Sequence, residues 1–179
     1  MNVSAIAAAM LRIGEKYGWT SIEARVAAAH YESFIPGFVP SSKVPHLSLL
    51  RDHSAQRHAE AKAPFFKEAV FLHVAGNGNC QDNSTLQNLF GNYERAFELR
   101  VRKGLHTVQN WWVYSDLVSA LSRLDSEVPD FMEIFFRDRD WECIAHDVGL
   151  PFLIGRPVVV FNYTGVRKTK RKQKREKGE

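Results

Sequence analysis

Apolar residues recur at helical spacing from the start of the chain. Ile6, Met10, Ile13 and Tyr17 fall on one face of a helix over residues 5–17, and Gly18 stands where a C-terminal cap is expected. Thr20 and Glu23 have the spacing of a capping box, and Ile22, Val26 and Ala29 stripe the helix that would follow. Residues 1–35 therefore predict a helical hairpin, a packing unit without chemistry of its own. Three prolines, a glycine and two serines between Pro36 and Pro45 interrupt the pattern. Residues 51–62 mix alanine with charges of both signs, so residues 36–64 read as a linker followed by a solvated helix.

The pattern then changes period. Residues 69–74 predict a strand, the small and amide residues at 76–79 a turn, and Leu86, Leu89 and Phe90 the apolar side of a helix. A longer helix over 94–108 carries Phe97, Val101, Leu105 and Val108 on one side, with Arg95, Arg102 and Lys103 read as a solvated face. Trp111, Trp112 and Tyr114 predict an aromatic core cluster just before an N-cap at Ser115 and a helix bearing Leu117, Val118, Leu121 and Leu124. Residues 141–148 predict a short helix closed by Gly149. Val158, Val159, Val160 and Phe161 predict a strand covered on both faces. Strands alternating with helices point to an α/β (α+β) class, a small central sheet flanked by helices, over residues 65–165.

Charge divides the chain unevenly. The net charge of +4 is the sum of a tail from Arg167 onward that carries +6 and a body at −2. The body gives no electrostatic reason to expect nucleic acid, whereas the segment from Arg167 to Lys177 could bind it or another acidic partner. From Arg167 onward the chain has no apolar position to pack, and residues 166–179 predict a disordered basic tail. No apolar run is long enough to span a bilayer and no signal-peptide pattern opens the chain, so the expectation is an intracellular protein of cytoplasm or nucleus without a membrane partner.

Two cysteines, Cys80 and Cys143, make a poor disulfide framework and, without clustered histidines, a poor zinc site; no metal or cofactor is expected. Cys80 falls at the strand-to-helix turn. There the unpaired N–H groups of the helix start favour negative charge, the setting that makes thiolate available. Cys143 reads as a buried, inert thiol. His53 and His58, five apart, do not share a helical face and read as surface residues.

The stretch Gly78-Asn79-Cys80, with a strand before and a helix after, resembles the nucleophile loop of the ovarian-tumour (OTU) family of papain-like cysteine proteases, most of which are deubiquitinases. The similarity runs through Leu89-Phe90-Gly91 and Glu98-Leu99-Arg100-Val101-Arg102. A second block, Trp141-Glu142, the short helix and the strand at 157–162, resembles the family's later segment. The resemblance implies an OTU-like papain-type fold, Cys80 as nucleophile, and an oxyanion hole from the backbone of Asn77, Gly78 and Asn79. It also implies ubiquitin or a ubiquitinated protein as partner, with hydrolysis at the isopeptide linkage.

Three departures bear on activity. Asn77 stands where the family usually has aspartate, and Asp82 in the first helical turn opposes thiolate formation. The family's general base is a histidine after the last strand, and this chain has no histidine after His146. His73 and His146 are the candidate substitutes. The alternatives are a non-catalytic protein-interaction module that keeps the fold, or a nuclear, nucleic-acid-associated factor like vertnin-type proteins, using the basic tail.

Overall fold

A computed structural model of the chain describes residues 2–37, 51–62, 67, 71–75, 77–122, 128–140 and 144–155. The described residues form eight helices: α1 (Val3–Tyr17), α2 (Ile22–Glu32), α3 (His53–Lys62), α4 (Cys80–Phe90), α5 (Ala96–Gln109), α6 (Trp111–Ser122), α7 (Val128–Ile134) and α8 (Leu150–Ile154). A 3-10 turn, Ile144–Asp147, precedes α8.

The expected α/β class with a central sheet is overturned. Of the described residues 69% are helical and 2% extended, and the extended ones form a single antiparallel bridge, Arg51 with Leu72. The run at 69–74 has the composition of a strand, but among the described residues a lone bridge is all the pairing it finds. An unpaired strand cannot satisfy its backbone groups by itself. The helices bury their apolar faces on one another instead. The strand expected at 158–161, Trp141, Glu142, Cys143 and the basic tail lie outside the described residues, and of the short helix expected over 141–148 the described part, Ile144–Asp147, is a 3-10 turn.

The N-terminal hairpin forms with its boundary moved by one residue. Gly18 ends α1 at φ 82°, with its N–H donating to the Gly14 carbonyl. The N-cap of α2 is Ser21 rather than Thr20: the Ser21 hydroxyl oxygen accepts from the Ala24 N–H at 3.1 Å. That hydroxyl also donates to the Gly18 carbonyl at 2.8 Å, so one side chain closes one helix and opens the next. Trp19 folds back over α1, where a Cβ on Gly14 would stand 2.3 Å from the indole. The absence of a side chain at Gly14 is what lets the ring lie there, stacked on Phe136 at 5.2 Å.

Helix α5 is the centre of the molecule, in contact with α1, α2, α4, α6 and the 3-10 turn. The face with Val101, Leu105 and Val108 meets Ile6, Ala7, Met10, Ala24 and Ala28 of the hairpin and Phe131, Met132, Phe135 and Phe136 of α7 and the residues after it. Arg102 reaches across to the end of α2, donating to the Ile35 and Pro36 carbonyls at 3.1 and 2.7 Å. It thereby supplies donors to carbonyls just beyond the end of α2. A smaller cluster, Leu86, Ala96, Leu99 and Leu150, joins α4, α5 and α8.

Two expectations about α5 and α6 change. Lys103, read as solvated, is fully buried, as is Arg100 one turn earlier. The helix at α6 starts at Trp111, not after Ser115, so its aromatic residues divide between core and surface. Tyr114 is buried, while Trp112 is 73% exposed.

Candidate functional site

The second face of α5 is charged and positions the Cys80 loop. Arg100 and Lys103 are both completely buried, and so is Asp82 in the first turn of α4. Arg100 Nε lies 3.3 Å from Asp82 Oδ2. Lys103 Nζ lies 2.8 Å from Asp82 Oδ1, a close ion pair without the alignment of a hydrogen bond, and donates to Asp147 Oδ1 at 2.9 Å. Two cations and two carboxylates thus balance across α4, α5 and the 3-10 turn. Such a cluster is tolerable in a core only because every charge has an opposite partner; removing one leaves an uncompensated buried ion.

Arg100 spends its remaining donors on backbone. Nη2 donates to the Gly78 carbonyl at 2.6 Å and Nη1 to the Arg137 carbonyl at 2.9 Å. The loop before Cys80 and the segment after α7 are therefore tied to one guanidinium. They also touch directly. Gly78 sits at φ 86°, and a Cβ there would fall 1.9 Å from the Arg139 carbonyl oxygen. Only glycine fits, both for backbone conformation and for space. Asp82, expected as a carboxylate set against the thiolate, is paired with Arg100 and Lys103 and anchors the guanidinium.

Asn79 completes the junction. Its Nδ2 donates to Asp138 Oδ1 at 2.8 Å, and its Oδ1 accepts the Arg139 N–H at 3.0 Å. It makes no side-chain cap on α4, although its carbonyl accepts the first helical N–H, from Asn83, at 2.8 Å. The Asn77 side chain holds the turn from the other side: its Oδ1 accepts the Asn79 N–H at 3.2 Å and Asn83 Nδ2 at 3.0 Å. Asn83 Nδ2 also donates to the Ala75 carbonyl at 3.2 Å. The amide of Asn79, expected in an oxyanion hole, is engaged within the turn in this arrangement.

Cys80 opens α4, partly exposed and unpaired to any other thiol. Among the described residues nothing hydrogen-bonds its sulfur. Of the candidate bases, His73 is exposed. His146 is 1% exposed, stacked on Phe131 with centroids 4.2 Å apart and edge-on to Phe135 at 4.8 Å, and its Nε2 lies 3.0 Å from the Phe131 carbonyl. That carbonyl is acceptor only, so Nε2 carries the proton and donates. His146 is a core residue with its ring held in aromatic packing. His53 is exposed, as read.

One histidine that drew no attention in the sequence has a structured environment. His106, on α5, has Nε2 3.0 Å from the Tyr114 hydroxyl and Nδ1 3.4 Å from Asn110 Nδ2. Burial holds its pKa below the usual histidine range, with Glu32 pulling it up and Arg102 pushing it down to lesser extents. Burial likewise raises the Tyr114 phenol. No sequence signal marked this pair: His106 and Tyr114 are eight apart and meet only because α6 turns back at Asn110.

Among the described residues no group of three or more His, Cys, Asp or Glu side chains could hold a metal ion, and no helix is long and apolar enough to cross a membrane. The arrangement offers an accessible thiol on a rigidly held turn. Comparison with family models, with curated proteins and with solved structures found no match to this chain.

Proposed function

We propose that this chain is a ubiquitin-directed domain related to the OTU cysteine peptidases, which binds ubiquitin or ubiquitinated proteins at the Cys80 face and hydrolyses them poorly. Its setting is intracellular, in cytoplasm or nucleus. The reading rests on the residue pattern Gly78-Asn79-Cys80 and the Glu98 to Arg102 helix, not on a sheet. The observation that carries it is the treatment of the loop: Arg100, Asp82, Asn77 and Asn79 fix its backbone, while His146 is committed to the Phe131 carbonyl. A turn preserved as structure with no imidazole engaged at it among the described residues suits binding better than general-base catalysis.

Hydrolysis by Cys80 is the second reading, favoured by one fact. Cys80 is partly exposed at a helix start whose N-cap side chain leaves the first amides uncapped, donors suited to an oxyanion. A ubiquitin carrying a C-terminal electrophile separates the two. Binding of unmodified ubiquitin with little adduct formation is the expected result; rapid adduct formation abolished in Cys80→Ala would establish the peptidase instead. Loss of both binding and adduct would remove ubiquitin from consideration.

A further inference from the structure

The segment at residues 137–139 is as much a part of the Cys80 site as the loop that carries the cysteine. Four contacts join the two across about sixty residues of sequence. Asn79 Nδ2 donates to Asp138 Oδ1 and Asn79 Oδ1 accepts the Arg139 N–H. Arg100 bridges the Gly78 and Arg137 carbonyls. The Arg139 carbonyl lies against the bare Cα of Gly78, and Arg139 itself is held at φ 61°, in a conformation uncommon for a residue with a side chain. Arg139 Nε also stands 3.7 Å from Asp138 Oδ2, an exposed pair that adds little.

We infer that Asp138 and Asn79 form a latch that positions the Cys80 turn and sets how far its thiol is presented to solvent. Asn79 directly precedes Cys80 in the chain. Its amide group has both ends used, one on a side chain and one on backbone, so the turn cannot shift without breaking both bonds. Asp138 is the accessible half of the latch, its side chain 47% exposed. Asn79 is the buried half, and Arg100, sealed in the charge cluster, is a separate tie between the same two segments. The inference rests on the reading of Cys80 as the centre of the site, but its consequence is physical and does not require the chain to cleave anything.

The test is the rate at which iodoacetamide alkylates Cys80 in the full chain, resolved from Cys143 by mass spectrometry of the peptides. Asp138→Ala is made at an exposed position, releases Asn79 Nδ2 and is expected to raise the Cys80 rate about fivefold. Asn79→Asp sets two carboxylates against each other and is expected to raise it about tenfold, with rates compared per ionised thiol from their pH profiles because the new carboxylate beside Cys80 also disfavours thiolate. The exchanged pair, Asn79→Asp with Asp138→Asn, restores a donor and an acceptor in reversed order and is expected to return the rate to within twofold of the parent. Leu105→Ala loosens the apolar side of α5, away from the charge cluster, and is expected to leave the rate within twofold of the parent.

Equal rates in the parent and Asp138→Ala would overturn the latch, as would a folded exchange variant that stays as fast as Asn79→Asp. If Leu105→Ala accelerates alkylation as much as Asp138→Ala, general loosening explains the effect and the latch is lost. Ubiquitin binding measured on the same variants fails or succeeds independently, so the functional reading and the latch are judged apart.

Discussion

The two sides of α5 hold the molecule together by opposite means. Toward the N-terminal hairpin and α7 it presents Val101, Leu105 and Val108, and small residues such as Ala24 and Ala28 bring the opposing helix close. Toward α4 and the Cys80 loop it presents Arg100 and Lys103, both fully buried. The first interface gains free energy from apolar burial and tolerates changes that keep volume. The second gains little net from its charges, since their mutual attraction offsets their desolvation, but it admits one arrangement only. Stability and loop geometry are thus assigned to different faces of one helix.

The largest effects should come from removing one member of either face, and they should differ in kind. Asp82→Ala leaves Arg100 and Lys103 facing each other without their shared carboxylate and should cost about 3–5 kcal/mol. Leu105→Ala should cost about 2–5 kcal/mol through its cavity. Urea unfolding followed by tryptophan fluorescence measures both. The comparison predicts that Leu105→Ala leaves Cys80 alkylation within twofold of the parent under native conditions, whereas Asp82→Ala changes it. If both variants alter the thiol equally, the division between faces fails.

Next in size is Gly78→Ala, which meets the Arg139 carbonyl and a left-handed backbone at once. A strained backbone position of this sort costs on the order of 1–3 kcal/mol, and the clash adds to it. The damage should be confined to the charged side: amide exchange should accelerate in the first turn of α4 and at Arg139, with the hairpin protected as before.

A smaller effect attaches to pH. His106 titrates below the usual histidine range when folded because it is half-buried. The unfolded chain then binds more protons than the folded one between the two pKa values, so stability is fully present above the unfolded value and declines as pH falls through and below about 6.5. In His106→Gln that part of the decline should vanish from denaturation midpoints measured between pH 7.5 and 5. Smallest of all is Ile22→Ser, at a side chain 73% exposed on α2. Its unfolding free energy should stay within about 0.5 kcal/mol of the parent.

The apolar side of the fold was readable because its signal is local. Ile6 and Met10, or Val101, Leu105 and Val108, repeat at the helical period, and Gly18 announces its cap by type alone. The charged side was not readable in the same way. Lys103 lies on the polar-seeming half of α5, and nothing within one turn of sequence reveals Asp82 twenty-one positions earlier or Asp147 beyond it. Periodicity assigns a charge to solvent by default, and tertiary pairing overrides that default. The sheet was misread for a related reason. Short β-branched or aromatic runs such as 69–74 have strand composition, but a strand exists only where a partner completes its hydrogen bonds. Cys80 at the start of α4 was legible from the turn residues before it; the second half of its surroundings, Asp138 and Arg139, carried no signal at all.

The separation of Asn79 from Asp138 and Arg139 also has a consequence in time. The α1 and α2 contacts close within a few residues, whereas the junction at Cys80 closes a loop of fifty-nine or sixty. Loop closure of that length is entropically costly and is favoured only after intervening helices have shortened the path. The segment at 137–139 follows α7, which itself docks on α1. Cys80 alkylation, sampled during refolding, would report when this junction closes relative to the apolar core.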